Sequence, residues 1–214
     1  MAAGSMKKEY FDLLVVVPLE EELQQVMSTF RGLEDRCTST EFRYIVDSGN
    51  SAISMMVVQQ DAMGKGNAAR AVSNALSEYD AGLIACLGIA GGMSEDLMLG
   101  DVCYTGNVID VYDNSKALDS TNGDIDIEFS PSHFATNKEI TVAFNFIRTL
   151  PEHKQSYIAW QSERETYAQK LLSVPVIGRK GREERIGRPT TKNGTIVCGA
   201  VSRSAAYNKK LQSL

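Results

Sequence analysis

The most constraining feature of this chain is a series of short apolar runs that alternate with helical apolar patterns. The first run, Asp12-Leu-Leu-Val-Val-Val-Pro18, is rich in β-branched residues and stops at a proline, as a fully buried parallel strand does. A helical apolar pattern follows at once, with Gly32 just beyond it, and its positions are Leu19, Leu23, Val26, Met27 and Phe30. Together these two segments predict a first βα unit.

The same alternation continues along the first half of the chain. Residues 42–59 predict two strands joined in a hairpin at Asp47-Ser-Gly-Asn50. Asn67 is predicted to cap the next helix. A buried strand is predicted at Leu83–Leu87, and a further strand over residues 101–111. Strands that alternate with helices predict a three-layer α/β fold, with a central mixed, mostly parallel β-sheet flanked by helices.

The second half of the chain has a weaker pattern. It contains two predicted helices, over residues 137–150 and 163–172, and a basic loop at 178–185 that is expected to be exposed. Residues 194–201 predict one more buried strand, after which a helix begins. Residues 1–5, which precede a second methionine at position 6, resemble a cloning remnant, so the expected domain organisation is a single domain over 6–214, truncated at its C-terminus.

Composition excludes several classes of protein. A chain of 214 residues that is 43% apolar and 23% charged is expected to fold as one globular domain. Its net charge is −5 and its basic residues are scattered, so the sequence lacks the cluster of positive charge that nucleic-acid binding requires. No apolar run reaches the roughly 20 residues of a membrane span, so neither a membrane nor a nucleic acid is an expected partner, and the expected location is cytoplasmic.

The four cysteines have no CxxC pairing, and they are interpreted as reduced, buried thiols. No metal-ligand spacing is visible, so neither a metal nor an organic cofactor is expected.

Three sequence motifs follow predicted strands, at the carboxyl ends where ligands bind in open α/β sheets. They are Pro18-Leu-Glu-Glu-Glu22, Met63-Gly-Lys-Gly66 and Gly88-Ile-Ala-Gly-Gly92. The glycines of the second and third motifs let the backbone approach a ligand and present its N–H groups, although a glycine after a strand is more often only a turn residue.

The acidic triplet of the first motif offers a candidate general base. Carboxylates in the first turn of a helix are stabilised by the helix dipole and need no further role. On a helical wheel Glu21 points away from the apolar stripe, whereas Glu20 and Glu22 lie on its two shoulders. One of those two is therefore predicted to face the carboxyl edge of the sheet, where a partly desolvated carboxylate is suited to activating water.

These motifs, in this order, resemble the nucleoside phosphorylase superfamily, and in particular the methylthioadenosine/S-adenosylhomocysteine nucleosidases. The resemblance is carried by the stretches VVVPLEEEL, AMGKGNAARAVSNAL, GLIACLGIAGGMSEDLMLGDVCYTGNVID and GTIVCGAVS. It is close over about 13–110, thin from there to 193, and visible again in the last stretch. It implies a purine nucleoside substrate and self-association into a homo-oligomer.

The resemblance also implies roles for individual residues. The third glutamate of the triplet, Glu22, would orient and deprotonate the attacking water. The positions that would contact substrate are Leu19, Met63 and Gly64 near the sugar and its 5′ substituent, Ile89, Ala90 and Gly91 beside the base and ribose, and Val201 and Ser202 at the strand end that frames the purine.

The chain also departs from the family pattern. Ile89 replaces a small hydroxyl residue that is common in these nucleosidases, and the Gly-Asp-Pro-x-Arg turn of phosphorolytic members is absent, which favours hydrolysis. The M-E-x-x-A segment, whose glutamate binds the ribose hydroxyls, and the later aspartate that protonates the purine do not occur before Leu214. This chain is therefore expected to be a fragment of an active parent, and loss of the general acid would lower its own rate about 10²- to 10⁴-fold.

Three hypotheses follow from the residues and the resemblance. The first is a purine nucleosidase that hydrolyses the N-glycosidic bond of an adenosine-like nucleoside or nucleotide. The second is a catalytically silent nucleoside-sensing or oligomerisation module of a larger signalling or defence protein, and the third is a phosphate-dependent phosphorylase.

Overall fold

The computed structural model describes residues 7–39, 41–111, 115–119, 125–172, 187–199 and 204–214. The chain divides into two compact units, Met1–Ala90 and Gly91–Leu214. The three motifs that begin at Pro18, Met63 and Gly88 all start in the first unit.

The first unit is a five-stranded mixed sheet with one helix on each face. Its elements in chain order are β1 (Glu9–Val17), α1 (Glu20–Thr29), β2 (Gly32–Asp35), β3 (Phe42–Asp47), β4 (Ser54–Gln59), α2 (Lys65–Glu78) and β5 (Tyr79–Cys86). The strand order is β2-β3-β4-β1-β5, in which β1 pairs in parallel with β4 and β5 while β3 pairs antiparallel with β2 and β4. The prediction of an α/β fold with a central mixed sheet flanked by helices is confirmed.

The second half of β1 is buried because both of its faces are covered. Val15 and Val17 pack in one core cluster with Leu23 and Val26 of α1. Leu14 packs in a second cluster on the other face, which contains Ala71 and Ala75 of α2. The continuous apolar run of β1 is therefore explained by burial on both faces of a parallel strand, as the sequence predicted.

The predicted hairpin is present between β3 and β4, and Gly49 in its turn has a φ of 76°, a left-handed conformation that favours glycine. Gly32 lies beyond the first helix, as predicted, and begins β2, a strand whose residues are all exposed and which the pattern did not predict. The helix itself ends earlier, at Thr29.

The predicted helix cap at Asn67 is wrong. Helix α2 begins at Lys65 with Gly64 as its N-cap, and Gly64 has a φ of 112°. Asn67 therefore lies inside the first turn, where its side-chain amide donates a hydrogen bond to the Met63 carbonyl over 3.1 Å. Glycine at the cap lets the chain enter the helix in a conformation that other residues rarely adopt.

Strand β5 was predicted to be fully buried, and this is wrong. It lies at the end of the strand order, and Ile84 is 43% exposed. The prediction of buried thiols is wrong for Cys86, Cys103 and Cys198, which are exposed.

The second unit contains three small sheets and three helices among its described residues. Its elements are β6 (Val102–Tyr104), β7 (Asn107–Asp110), β8 (Lys116–Asp119), β9 (Ile125–Glu128), β10 (Ser132–Ala135), α3 (Lys138–Phe146), α4 (Pro151–Leu172), β11 (Thr191–Asn193), β12 (Ile196–Cys198) and α5 (Ala205–Gln212). The sheets have the orders β10-β7-β12, β11-β6 and β8-β9. A core cluster of Ile109, Val111 and Leu211 joins β7 to α5.

Several predictions for this unit need correction. The single strand expected over residues 101–111 is two strands, β6 and β7, which belong to different sheets. The helix predicted over 163–172 is the second half of the longer α4, and the helix predicted over 137–150 is the shorter α3. The basic loop at 178–185 lies outside the described residues, as do Val201 and Ser202.

Candidate functional site

The three strand-end motifs of the first unit meet because β4, β1 and β5 are adjacent and parallel. Val17, the last residue of β1, is in register with Gln59, the last residue of β4. Val16 is in register with Cys86, the last residue of β5. The three loops therefore leave the sheet at the same edge, within one residue of each other in register, which is where a ligand site is expected.

Glu22 lies at this edge, and it is the buried member of the acidic triplet. It occupies the third position of α1, and only 7% of its surface is exposed. One carboxylate oxygen, Oε2, accepts a hydrogen bond from the backbone N–H of Leu19 over 2.9 Å. Because Leu19 is the N-cap, this bond satisfies a backbone donor at the start of the helix and fixes the Glu22 side chain against its own first turn.

The other Glu22 oxygen joins α1 to the loop that follows β5. Oε1 accepts a hydrogen bond of 2.6 Å from the backbone N–H of Ile89, which lies 67 positions further along the chain. Charge-assisted bonds of this length are among the stronger hydrogen bonds of proteins. The Glu22 carboxylate is thus held between two backbone donors from two different strand-end motifs.

Gly88 makes this arrangement sterically possible. A Cβ at position 88 would lie 3.1 Å from Glu22 Oε1 and 3.3 Å from Cγ of Pro18. Both contacts are shorter than ordinary van der Waals contacts, so a larger residue would displace the carboxylate or the loop. The sequence left open whether Gly88 is a turn residue or allows a close approach of the backbone, and here it allows the close approach to Glu22.

The remaining two glutamates have other surroundings. Glu20 is exposed and accepts a hydrogen bond from Nε2 of Gln24 over 3.2 Å, one turn along the same helix. Glu21 is also exposed. Of the two candidates that the helical wheel left open, Glu22 is therefore the one that faces the carboxyl edge of the sheet.

The arrangement leaves Glu22 able to bind water. A carboxylate has about four lone-pair positions, and the two backbone donors occupy two of them. The carboxylate can therefore accept a hydrogen bond from a water molecule while both backbone bonds persist. Glu22 is thus a hydrogen-bond acceptor held in a fixed position at the strand ends, and a fixed position is what a general base requires.

The loop after β4 is fixed to β1 through a residue that sequence analysis missed. Gln60, which is 3% exposed, donates its backbone N–H to the Val17 carbonyl over 3.1 Å and its side-chain amide to the Ala62 carbonyl over 2.8 Å. No motif marks Gln60, because its role depends on the pairing of β4 with β1. It holds the loop that carries Met63 and Gly64.

The other predicted substrate contacts are more open. Met63 is 60% exposed and Ile89 is 81% exposed, whereas Leu19 is half-buried. Ala90 and Gly91 are exposed, and Gly91 is the first residue of the second unit.

The described residues offer no metal centre, since no three His, Cys, Asp or Glu side chains among them gather closely enough to bind an ion. None of the helices in the described ranges combines the length and the apolar character that a membrane span needs.

The overall fold is similar to that of several solved nucleosidases. For the methylthioadenosine/S-adenosylhomocysteine nucleosidase of Neisseria meningitidis in complex with methylthio-immucillin-A, the identity is 17% and the TM-score 0.57, with 94% of this chain and 70% of that chain covered. S-adenosylhomocysteine nucleosidase of Streptococcus pyogenes in complex with 5-methylthiotubericidin is 14% identical with a TM-score of 0.58, and the match covers 98% of this chain and 71% of that chain. Futalosine hydrolase of Helicobacter pylori is 13% identical with a TM-score of 0.60, and the coverage is 96% and 70%.

No curated protein matches the chain by sequence. The sequence does match the family model described as Phosphorylase superfamily, over residues 12–209. That match spans the strand-end motifs of the first unit and all the described strands of the second. The chain therefore belongs to the phosphorylase superfamily.

Proposed function

We propose that this protein hydrolyses the N-glycosidic bond of an adenosine-like nucleoside or nucleotide, and that Glu22 activates the attacking water. The observation that carries the proposal is the position of Glu22. It is a buried carboxylate at the carboxyl edge of three parallel strands, held by the backbone N–H groups of Leu19 and Ile89. A fixed acceptor of this kind is pre-organised to receive a proton from water.

In the proposed reaction, water attacks the anomeric carbon of the ribose. The new carbon–oxygen bond forms as the bond to the purine nitrogen breaks, the water proton passes to Glu22, and the electron pair of the broken bond leaves with the purine. Glu22 is assigned only the activation of water in this scheme.

The acidic triplet supports hydrolysis rather than phosphorolysis. Glu20, Glu21 and Glu22 all lie in the first turn of α1, where a phosphorolytic site needs positive charge. Three carboxylates at this position would repel a phosphate dianion, whereas water is neutral.

The remaining predicted contacts complete the proposed site. Leu19, Met63 and Gly64 would border the sugar and its 5′ substituent, while Ile89, Ala90 and Gly91 would border the base and ribose. Val201 and Ser202 remain predicted contacts with the purine. The exposed side chains of Met63 and Ile89 offer apolar surface for such contacts. A cytoplasmic homo-oligomer is part of the same proposal, and the mass of the protein in solution tests the oligomer.

A second candidate is a catalytically silent module that binds a nucleoside without cleaving it. One observation favours it: both oxygens of Glu22 are hydrogen-bonded to backbone N–H groups, so the side chain also serves to join α1 to the loop after β5. In this hypothesis Glu22 is a structural residue of a binding pocket.

The experiment compares Glu22→Gln with Glu21→Gln, a matched control in the same helical turn. Release of free base is measured from methylthioadenosine, S-adenosylhomocysteine, adenosine and ATP, and binding of methylthio-immucillin-A is measured in parallel. For the enzyme, Glu22→Gln should lower the rate about 10²- to 10⁴-fold, and Glu21→Gln should leave it near that of the wild type.

Binding of methylthio-immucillin-A without release of base by the wild type would support the silent module. Folded protein that neither releases base nor binds the inhibitor would refute both candidates.

A further inference from the structure

Helix α4 of the second unit presents an aromatic face that the proposed function does not use. His153, Ser156, Tyr157 and Trp160 follow each other at i, i+3, i+4 and i+7, so they lie on one face of the helix. All four line a single cavity.

Tyr157 is fixed in place by the strand beside the cavity. Its hydroxyl oxygen accepts a hydrogen bond from the backbone N–H of Thr191 over 3.0 Å and lies 2.8 Å from Oγ1 of Thr190. Gln161 adds a bond from its Nε2 to the Pro189 carbonyl over 2.7 Å. Because these bonds hold α4 against the chain entering β11, the Tyr157 ring is a rigid wall.

Tyr157 and Trp160 form a corner rather than a flat surface. Their ring centroids are 5.4 Å apart and their planes are inclined by 44°. The remaining walls are Val102, Ile147 and Thr191, and the cavity has a volume of about 260 Å³. Typical ligand sites are about 300–1,000 Å³, so this cavity fits one planar ring system rather than a whole nucleotide.

The cavity is mostly apolar but has polar groups available at its edge. Three polar groups have no side-chain hydrogen bond to any of the described residues: the His153 ring, the Ser156 hydroxyl and the Trp160 indole N–H. Imidazole and hydroxyl groups can each donate or accept a hydrogen bond. No Asp, Glu, Lys or Arg lines the cavity, so its chemistry suits an uncharged ligand.

The cavity lies beside two paired strands of the second unit. Val102 is the first residue of β6 and Thr191 the first residue of β11, and the two are paired in register. The cavity thus adjoins the amino ends of these strands, whereas catalytic sites in open α/β sheets lie at the carboxyl ends. All its lining residues belong to the second unit, and none of them is among the predicted contacts of the strand-end site.

We propose that this cavity is a second ligand site, which binds an uncharged planar heteroaromatic ring of the size of a free purine base. The ring stacks against Trp160, and its edge exchanges hydrogen bonds with His153 and Ser156. Aromatic walls with a few hydrogen-bonding groups are the usual composition of such sites. The proposal does not depend on hydrolysis at Glu22.

Trp160 is the only tryptophan of the chain, so its fluorescence reports directly on this cavity. Adenine, the probe, is titrated into the folded full chain, and saturable quenching of Trp160 is expected. Ser156→Ala and His153→Ala should each weaken binding about 2- to 10-fold, which corresponds to the loss of one hydrogen bond. Ser162→Ala, on the same helix but outside the cavity, is the matched control and should bind adenine as the wild type does.

Adenosine monophosphate provides a second arm, and it should bind more weakly than adenine because no cation lines the cavity. Glu22→Gln should leave the quenching unchanged, whatever its effect on hydrolysis. The proposal is overturned if adenine gives no saturable quenching, if Ser156→Ala and His153→Ala bind like the wild type, or if Glu22→Gln abolishes the response. It is also overturned if Trp160 fluorescence changes with protein concentration alone, since a second copy of the chain would then fill the cavity.

Discussion

Substitution of Gly88 by alanine tests whether the close contact between Glu22 and the loop after β5 is essential to the first unit. The added methyl group would lie 3.1 Å from Glu22 Oε1, and 3.3 and 3.4 Å from Cγ and Cδ of Pro18. Neither neighbour can move freely. The carboxylate is held at 2.6 Å by Ile89 and at 2.9 Å by Leu19, and the Pro18 ring is rigid.

The cost of this substitution follows from the steric conflict. Overpacking of this kind costs about 1–3 kcal/mol, and we expect Gly88→Ala to lower the free energy of unfolding by about 2 kcal/mol. Urea unfolding followed by circular dichroism measures this change. The matched control is Gly66→Ala in helix α2, where no atom lies within 4 Å of the new methyl group. Because alanine favours a helix more than glycine does, the control should gain about 0.5–1 kcal/mol.

A double-mutant cycle identifies the atom responsible. In a Glu22→Ala background the Oε1 atom is absent and only the Pro18 contact remains, so the cost of Gly88→Ala should fall. If Gly88→Ala changes the free energy of unfolding by less than about 0.5 kcal/mol, the steric reasoning is wrong. If the cost is the same with and without Glu22, the conflict is with Pro18 alone, and the Glu22 part of the reasoning is refuted.

Two further predictions concern the same unit. Arg43 is 1% exposed, forms an ion pair with Glu41 and lies 3.0 Å from Glu78. In urea unfolding, Arg43→Ala should lower the free energy of unfolding by about 3–5 kcal/mol, whereas Glu78→Ala should lower it by less than about 1 kcal/mol because the Glu78 side chain is 55% exposed. Equal losses for the two variants would contradict this. A hydrogen bond with Cys37, burial and the nearby Asp35 raise the pKa of Tyr44 from 10.0 to about 12. Since the folded-state pKa is the higher one, the stabilising effect is present below pH 10 and is lost as the pH rises towards about 12. Ultraviolet titration of Tyr44→Phe should lack that late phase, and a titration identical to that of the wild type would refute the assignment.

The parts of the fold that sequence predicted are those with a local physical cause. Residues 13–17 of β1 are all apolar because α1 covers one face of the strand and α2 the other, and such a run is visible without any knowledge of its partners. The hairpin between β3 and β4 is similarly local, since it depends on a turn that contains Gly49.

Errors arose where a local signal competed with another interaction. The strand expected over residues 101–111 is interrupted at Thr105, whose Oγ1 accepts a hydrogen bond from the backbone N–H of Asn107 over 2.9 Å. A side chain that bonds to the nearby backbone competes with the strand ladder, so the chain turns and the two halves join different sheets. The exposure of β5 could not be predicted either, because an edge position depends on the order of strands and not on the composition of one strand.

The candidate site shows the same division between local and distant causes. Periodicity reduced the acidic triplet to Glu20 and Glu22, because each lies on a shoulder of the apolar stripe of α1. The difference between them comes from Ile89, whose N–H reaches Glu22 from 67 positions away, and from Gly88, which lets the two segments approach. No helical pattern contains that information. The peptide N–H of Ile89 would be available to the carboxylate with almost any non-proline side chain at position 89. The isoleucine that departs from the family pattern is therefore compatible with this contact, and its side chain adds exposed apolar surface beside the site.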